Sequence, residues 1–140
     1  MKIYCDTQVL CEACLNVQRA VSNKTTIPAI EGILIKAIGN ELFLTGYDLE
    51  VGITTSIPCR VMEQGAIILN AKLLCDIVRK IPGDQVYLET DERLLATIRG
   101  GEAEYSLIGI DGNEFPELPA VSGGYPVVLE QKLLKDMVRQ

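Results

Sequence analysis

The sequence predicts an α+β fold: two βαβββ units whose antiparallel strands lie behind a pair of helices. Three observations carry this reading. The stretch Leu69 to Lys80, LNAKLLCDIVRK, returns sixty positions later as Leu129 to Gln140, LEQKLLKDMVRQ, identical at seven of twelve positions, and Cys5 to Glu12 is a weaker echo of Leu69 to Asp76. Each copy reads as an apolar run, a polar capping residue and an amphipathic helix. After each of the first two helices come three short β-like segments separated by turn residues, an order that makes antiparallel meanders. Two such units imply a pseudo-twofold axis with both helices side by side on one surface.

The elements follow in order. Ile3 to Cys5 is a short strand, and Asp6 or Thr7 caps a helix running to about Ala20. Its polar side, Gln8, Glu12 and Arg19, is not basic, and Leu15 interrupts it. Ser22 to Thr26 is a polar loop, and Pro28 keeps the next segment from continuing as helix. Gly32 to Ile38 is a β-branched strand, Gly39-Asn40 is a hairpin signal, and Glu41 to Thr45 returns. Gly46-Tyr47-Asp48 reads as a turn. Leu49, Val51, Ile53, Thr55 and Ile57 then alternate with polar or small residues, predicting a strand with one buried face that Pro58 ends. Cys59 to Gly65 is read as a connector.

The second unit opens with the strand Ala66 to Leu69 and the cap Asn70. At about 100° per residue, Leu73, Leu74, Ile77, Val78 and Ile81 share one helix face and Lys72, Asp76, Arg79 and Lys80 the other. Pro82-Gly83 stops the helix. Strands follow at Gln85 to Thr90, Arg93 to Ile98 and Ala103 to Ile108. Ile110 to Gly124 is a linker anchored by Phe115-Pro116, and Pro126 onward begins a third unit, in which Lys132, Lys135 and Arg139 repeat the cationic face. No stop signal precedes Gln140. The expected organisation is one domain over 1–122, with units at about 1–60 and 61–122, and the start of a second domain at 123–140.

Composition bounds the function. A charged fraction of 23% and a hydrophobic fraction of 48% describe a globular chain. A net charge of −6 argues against a surface that attracts nucleic acid everywhere, while leaving room for one basic face on an acidic body. Neither a bilayer-spanning run nor a signal-peptide core is present, so the expected location is the cytoplasm, with no membrane partner. The five cysteines are Cys5, Cys11, Cys14, Cys59 and Cys75. Cys11-x-x-Cys14 has redox or zinc spacing, but Cys14 falls on the apolar face, and core packing is the expected role.

No catalytic constellation emerges. The chain has no histidine, hence no Ser-His or Cys-His nucleophile pair, and no phosphate-cradling glycine motif. Asp48 and Glu50 form a carboxylate pair that could bind magnesium for a nuclease or phosphotransfer reaction, and Asp91-Glu92 and Asp111 to Glu114 read as ordinary acidic turns. Asp is common in turns for its own reasons, and no cofactor or metal is expected.

Thr26-Ile27-Pro28-Ala29-Ile30, Leu44-Thr45-Gly46-Tyr47-Asp48-Leu49-Glu50, Ile81-Pro82-Gly83 and Glu114-Phe115-Pro116-Glu117-Leu118-Pro119, in this order and spacing, resemble the N-terminal part of the bacterial sliding clamp family, the beta subunit of DNA polymerase III. The resemblance runs the length of the chain and implies the DNA-clamp fold, with antiparallel sheets outside and two helices on the inner face. It implies a non-catalytic processivity factor, an accessory of a nucleotidyltransferase holoenzyme. Two subunits would close head to tail around duplex DNA, and polymerase and clamp loader would bind beyond Gln140. By the same resemblance, Lys24, Lys72 and Arg79 would touch DNA, and Leu73, Tyr105 and Leu107 would lie at the subunit contact. Glu12 departs from a basic lining on the first helix. A magnesium-dependent nuclease using Asp48 and Glu50, and a purely structural dimerisation module, are the alternatives.

Overall fold

The structure is a computed structural model that describes residues 1–21 and 28–116. Lys24 and the expected second domain at 123–140, with Lys132, Lys135 and Arg139, lie outside the described residues.

The first unit runs β1 (Lys2–Asp6), α1 (Thr7–Gln18), a 3-10 turn (Pro28–Glu31), β2 (Gly32–Ile38), β3 (Glu41–Tyr47), β4 (Gly52–Pro58) and β5 (Arg60–Glu63). The second runs β6 (Gly65–Asn70), α2 (Ala71–Lys80), β7 (Gln85–Thr90), β8 (Leu95–Gly100), β9 (Ala103–Ile108), β10 (Ile110–Asp111) and a short 3-10 turn (Gly112–Glu114). The α+β expectation holds, with two additions. The stretch read as a connector is the strand β5, and the linker begins with the strand β10. Both are too short and too polar to display a period of two, and their pairing partners are distant in sequence.

The ten strands form two five-stranded antiparallel sheets, ordered β5-β1-β7-β8-β9 and β10-β6-β2-β3-β4. Each unit lends its first and last strands to the other's meander: β1 pairs with β7, and β6 with β2. Exchanging the units maps one sheet order onto the other, so the pseudo-twofold expected from the repeat is a property of the strand pairing. Neither unit has a complete sheet alone, which ties the two into one cooperative body.

Alternation builds the core. Ile33, Ile35, Ala37, Leu42 and Leu44 of one sheet and Ile3, Cys5, Val86, Leu88, Ala96 and Ile98 of the other are all buried, and the apolar faces of both helices close over them. A second, smaller apolar layer lies behind β3. Tyr47 is buried there with Phe115 at 6.4 Å between ring centroids, so Phe115 does anchor the segment after β10.

Two local readings change. The strand expected from Leu49 begins at Gly52, and Leu49 and Val51 are 47% and 56% exposed. Asp48 explains this. Its Oδ1 accepts the Glu50 and Val51 N–H groups at 2.9 and 2.7 Å, folding a tight turn in which Leu49 takes a φ of 77°. The Asx-turn overrides the apolar alternation. Leu73, expected on the buried face of α2, is 49% exposed. Ala71, Leu74, Cys75, Ile77 and Val78 do the burying instead, a stripe rotated away from Leu73.

Candidate nucleic-acid interface

Both helices begin with a side-chain cap. Asp6 Oδ1 accepts the Val9 N–H, and Asn70 Oδ1 accepts the Leu73 N–H, each at 3.0 Å. These bonds satisfy donors that the first helical turn leaves free. The Thr7 N–H donates to the Asp84 carbonyl at 2.9 Å, placing the start of α1 beside the end of α2. The two helices pack against each other, with Gln8 and Cys11 of α1 lining the same cleft as Val78 and Arg79 of α2. The helices are therefore antiparallel neighbours on the same side of the sheets, as the repeat implied.

The last turn of each helix rests on a glycine. A Cβ on Gly46 would overlap the Val17 carbonyl oxygen, and a Cβ on Gly100 would overlap the Ile81 side chain and lie 3.0 Å from the Pro82 carbonyl. Cys5 aligns with Leu69, so Val17 aligns with Ile81, and Gly46 and Gly100 are equivalent seats in the third strands of the two units. Sequence reasoning read Gly46 as a turn residue, yet it lies inside β3. A lone glycine in a strand marks close backbone approach, and that signal was available at Gly46, whereas Gly100 ends β8 beside Gly101. The rest of the Leu44–Glu50 run has equally local reasons. Leu44 is core, Thr45 Oγ1 lies 3.1 Å from Thr54 Oγ1, Tyr47 packs on Phe115, and Asp48 holds the turn.

The outward surface of the helix pair carries the charge. Lys72, Arg79 and Lys80 of α2 and Arg19 just after α1 are exposed. Seven residues apart, Lys72 and Arg79 fall on one stripe roughly 10 Å apart along the axis. Glu12 is exposed, and Asp76 is half-buried with Arg79 held at 2.8 Å. Four cations against two carboxylates make this layer positive on a chain of net charge −6. Arg79 and Lys80 also sit where the C-terminal end of a helix dipole favours cations. The ion pair with Asp76 is exposed and of little energetic worth, so it leaves Arg79 available at small cost. Glu12 faces solvent within reach of Gln8 (3.5 Å), and makes α1 the less basic of the two helices.

The other predicted residues separate. Tyr105 and Leu107 lie on β9, an edge strand, both half-buried against the core, and Leu73 is exposed on α2. Asp48 and Glu50 do not assemble a metal site. Asp48 spends its carboxylate on two backbone N–H groups, which hold its pKa below the ordinary range. Among the described residues no group of three or more His, Cys, Asp or Glu side chains is placed to hold a metal ion. The outer face of the first sheet carries a cross-strand row, Arg60, Tyr4, Tyr87, Arg99 and Glu104, in which Arg99 lies over the Tyr87 ring at 5.8 Å and pairs with Glu104. Arg99 there is paired with Glu104, whereas no ion pair is formed by Lys72 or Lys80 of α2 among the described residues. No helix among the described residues is long and apolar enough to cross a membrane.

Residues 1–119 match the family model described as DNA polymerase III beta subunit, N-terminal domain. The beta sliding clamp of Halalkalibacterium halodurans is 34% identical over all of this chain and 39% of its own length. That of Staphylococcus epidermidis is 37% identical over 87% of this chain and 34% of its own. The crystal structure of the DNA polymerase sliding clamp from Bacillus subtilis superposes with a TM-score of 0.83 at 35% identity, covering 85% of this chain and 33% of that one. The chain thus spans little more than a third of the length of these relatives.

Proposed function

The chain belongs to the DNA polymerase III beta-subunit family, as its N-terminal domain, and on that premise we propose that it serves as part of a ring-shaped sliding clamp that tethers the replicative polymerase to duplex DNA. The observation that carries this reading is the arrangement of α1 and α2: adjacent, on one side of both sheets, with Lys72, Arg79, Lys80 and Arg19 on their open surface. Phosphates are evenly spaced and sequence-blind, so cations on a rigid helix face attract duplex without selecting a register. Sliding requires that uniform, weak attraction. The acidic remainder of the chain repels DNA and favours its entry where the helices are. Lys24, which follows α1 in the sequence, is proposed as a further phosphate contact.

In this role the chain makes and breaks no covalent bonds; the polymerase does the nucleotide transfer. The second partner is another clamp subunit, joined head to tail along β9 through Tyr105 and Leu107, with Leu73 flanking. Support for that surface is the outer edge of β9, unpaired among the described residues, and the half-open apolar side chains beside it. Polymerase and loader would engage other parts of the longer protein, in the bacterial cytoplasm.

The test is duplex binding by fluorescence anisotropy across a salt series, with two duplexes of unrelated sequence. Affinity is expected to be weak, to fall steeply with salt and to be equal for the two. Salt-independent binding, or a preference between duplexes, would overturn the proposal. A module that only dimerises would associate with neither duplex at any salt concentration.

A further inference from the structure

The pseudo-twofold matches two cross-strand rows on the outer faces of the sheets. In the second sheet the row is Ile110, Ile68, Leu34, Thr45 and Thr54. In the first it is Arg60, Tyr4, Tyr87, Arg99 and Glu104. Cys5 aligns with Leu69, so Tyr4 stands where the other unit has Ile68, and the remaining positions follow from the strand pairing. The chain covers the row of the second sheet itself. After β10 the backbone turns at Gly112, where an added Cβ would lie 2.8 Å from Ala66 Cβ, and Phe115 then reaches the Tyr47 ring. Ile68 is 1% exposed and Thr45 is buried. The row of the first sheet has no such cover among the described residues. Only Gln64 separates β5 from β6, so no segment is left there to fold back. Tyr4 stays 41% exposed with its ring 4.7 Å from that of Tyr87, and Met62 of β5 is exposed as well.

We propose that this open row docks a short acidic peptide segment of a partner protein, with one aromatic side chain laid on Tyr4 and a carboxylate on Arg60. The differences between the rows carry the choice of occupant. Where the covered row has Ile110 and Thr45, the open row has Arg60 and Arg99. Tyrosine and arginine are the side chains that most often anchor protein interfaces, each combining a flat apolar body with a polar tip. Arg99 is already engaged, over the Tyr87 ring at 5.8 Å and paired with Glu104. Arg60 is exposed and forms no ion pair among the described residues. It stands directly across the β1–β5 pair from Tyr4, so a ring and a carboxylate on one segment meet both side chains together. A lone carboxylate gains little from a solvated arginine, and the ring beside it excludes water and raises the worth of the pair. Single-stranded nucleic acid also stacks on tyrosine. However, Glu104 and Glu89, which accepts from the Tyr87 hydroxyl at 3.4 Å, share this face. A phosphate backbone carries charge at every step and is repelled by them, whereas a peptide can place its carboxylate at Arg60 alone.

The test is fluorescence anisotropy of a fluorescein-labelled peptide, Asp-Gly-Asn-Glu-Phe-Pro, titrated with the full chain. Its sequence is that of 111–116, the segment the chain lays on its own second sheet. Saturable binding is expected. A peptide with alanine in place of its phenylalanine, or with amides in place of its two carboxylates, should bind about tenfold more weakly or not at all. Tyr4→Ser and Arg60→Glu should each weaken the parent peptide by about the same factor, and Tyr4→Phe should retain it. Salt-dependent duplex binding by the helix face should be the same in every variant, so failure here is distinct from failure of the clamp reading. No saturable binding, or binding that survives both Tyr4→Ser and Arg60→Glu, would overturn the proposal. So would labelled oligothymidine held by the same two residues, which would make the occupant single-stranded nucleic acid, or a sedimenting dimer that both substitutions break, which would make it a second copy. Arg60→Glu and the altered peptides decide the matter even if Tyr4→Ser does not fold.

Discussion

Replacing Gly46 by alanine tests the packing of helix on sheet directly. The added methyl would overlap the Val17 carbonyl oxygen, 3.1 Å from the carbonyl carbon and 3.2 Å from Val21 Cγ2. A flexible side chain could swing away, but a backbone carbonyl in the last turn of α1 cannot. The same oxygen accepts the Ala20 N–H at 3.1 Å, so moving it also loosens the end of the helix. Overpacking of this kind costs about 1–3 kcal/mol. Against it stands a gain of about 0.4–1 kcal/mol from the stiffer unfolded chain. The net expectation is a loss of roughly 2 kcal/mol, near the upper end because the obstacle is rigid. For a chain of this size that lowers Tm by roughly 6–10 °C. Circular dichroism melts and urea titrations read it. Gly39→Ala is the control: its methyl would meet nothing within 4 Å, and only the positive φ of 62° opposes it, at about 1 kcal/mol. If Gly46→Ala melts with the parent, or Gly39→Ala is the more damaging, the account of α1 seated on β3 is wrong.

Other outcomes can be stated briefly. Leu74→Ala, at a position 1% exposed, should cost about 2–5 kcal/mol in urea unfolding, whereas Leu73→Ala should stay within about 0.5 kcal/mol. Lys72→Gln should lower the slope of log affinity against log salt by about one for duplex DNA, and Arg79→Gln should do less, because Asp76 already shares its charge. Asp48→Ala should lower Tm by removing both turn bonds. The Asp48 carboxyl is held below its unfolded value of about 3.9, so the stabilisation is complete above that pH and fades as pH falls through the folded value. The Tm gap between parent and Asp48→Ala should therefore close in acid, which melts between neutral pH and pH values below about 4 will check.

What the sequence revealed depended on how local the cause was. β2 was legible from Gly32 to Ile38 because its β-branched run and the Gly39-Asn40 turn act within a few residues of each other. α2 was legible because Asn70, the apolar stripe and Pro82-Gly83 all point the same way. β5 was not, because Arg60 and Val61 become strand only by pairing with Tyr4 and Ile3, far back in the chain. Leu49 and Val51 misled because a single carboxylate bends the backbone away from the pattern that their side chains announce. At the candidate interface, the cations of α2 were visible from periodicity. The cleft that brings Cys11 beside Val78 and Arg79 was not, since it depends on how two helices lie against each other.

The two units are alike in plan, and the places where they differ bear on assembly. In the first unit, Asn16 of α1 donates to Thr55 of β4 at 2.9 Å and closes the inner surface of that edge strand. The equivalent positions in the second unit are Lys80 and Tyr105. Lysine offers donors and a charge but no apolar cover, and Pro82-Gly83 ends α2 early, at ten residues against twelve for α1. Tyr105 and Leu107 are left half-covered, Leu73 is open beside them, and Ile108 is 74% exposed at the end of β9. An uncovered strand edge invites pairing with another chain unless something blocks it. β4 is the equivalent edge of the other sheet, and Asn16 occupies part of its inner face. A head-to-tail ring requires contact between unlike surfaces, since a self-complementary edge would close a pair face to face, so the proposed ring needs a surface other than β9 itself as its match.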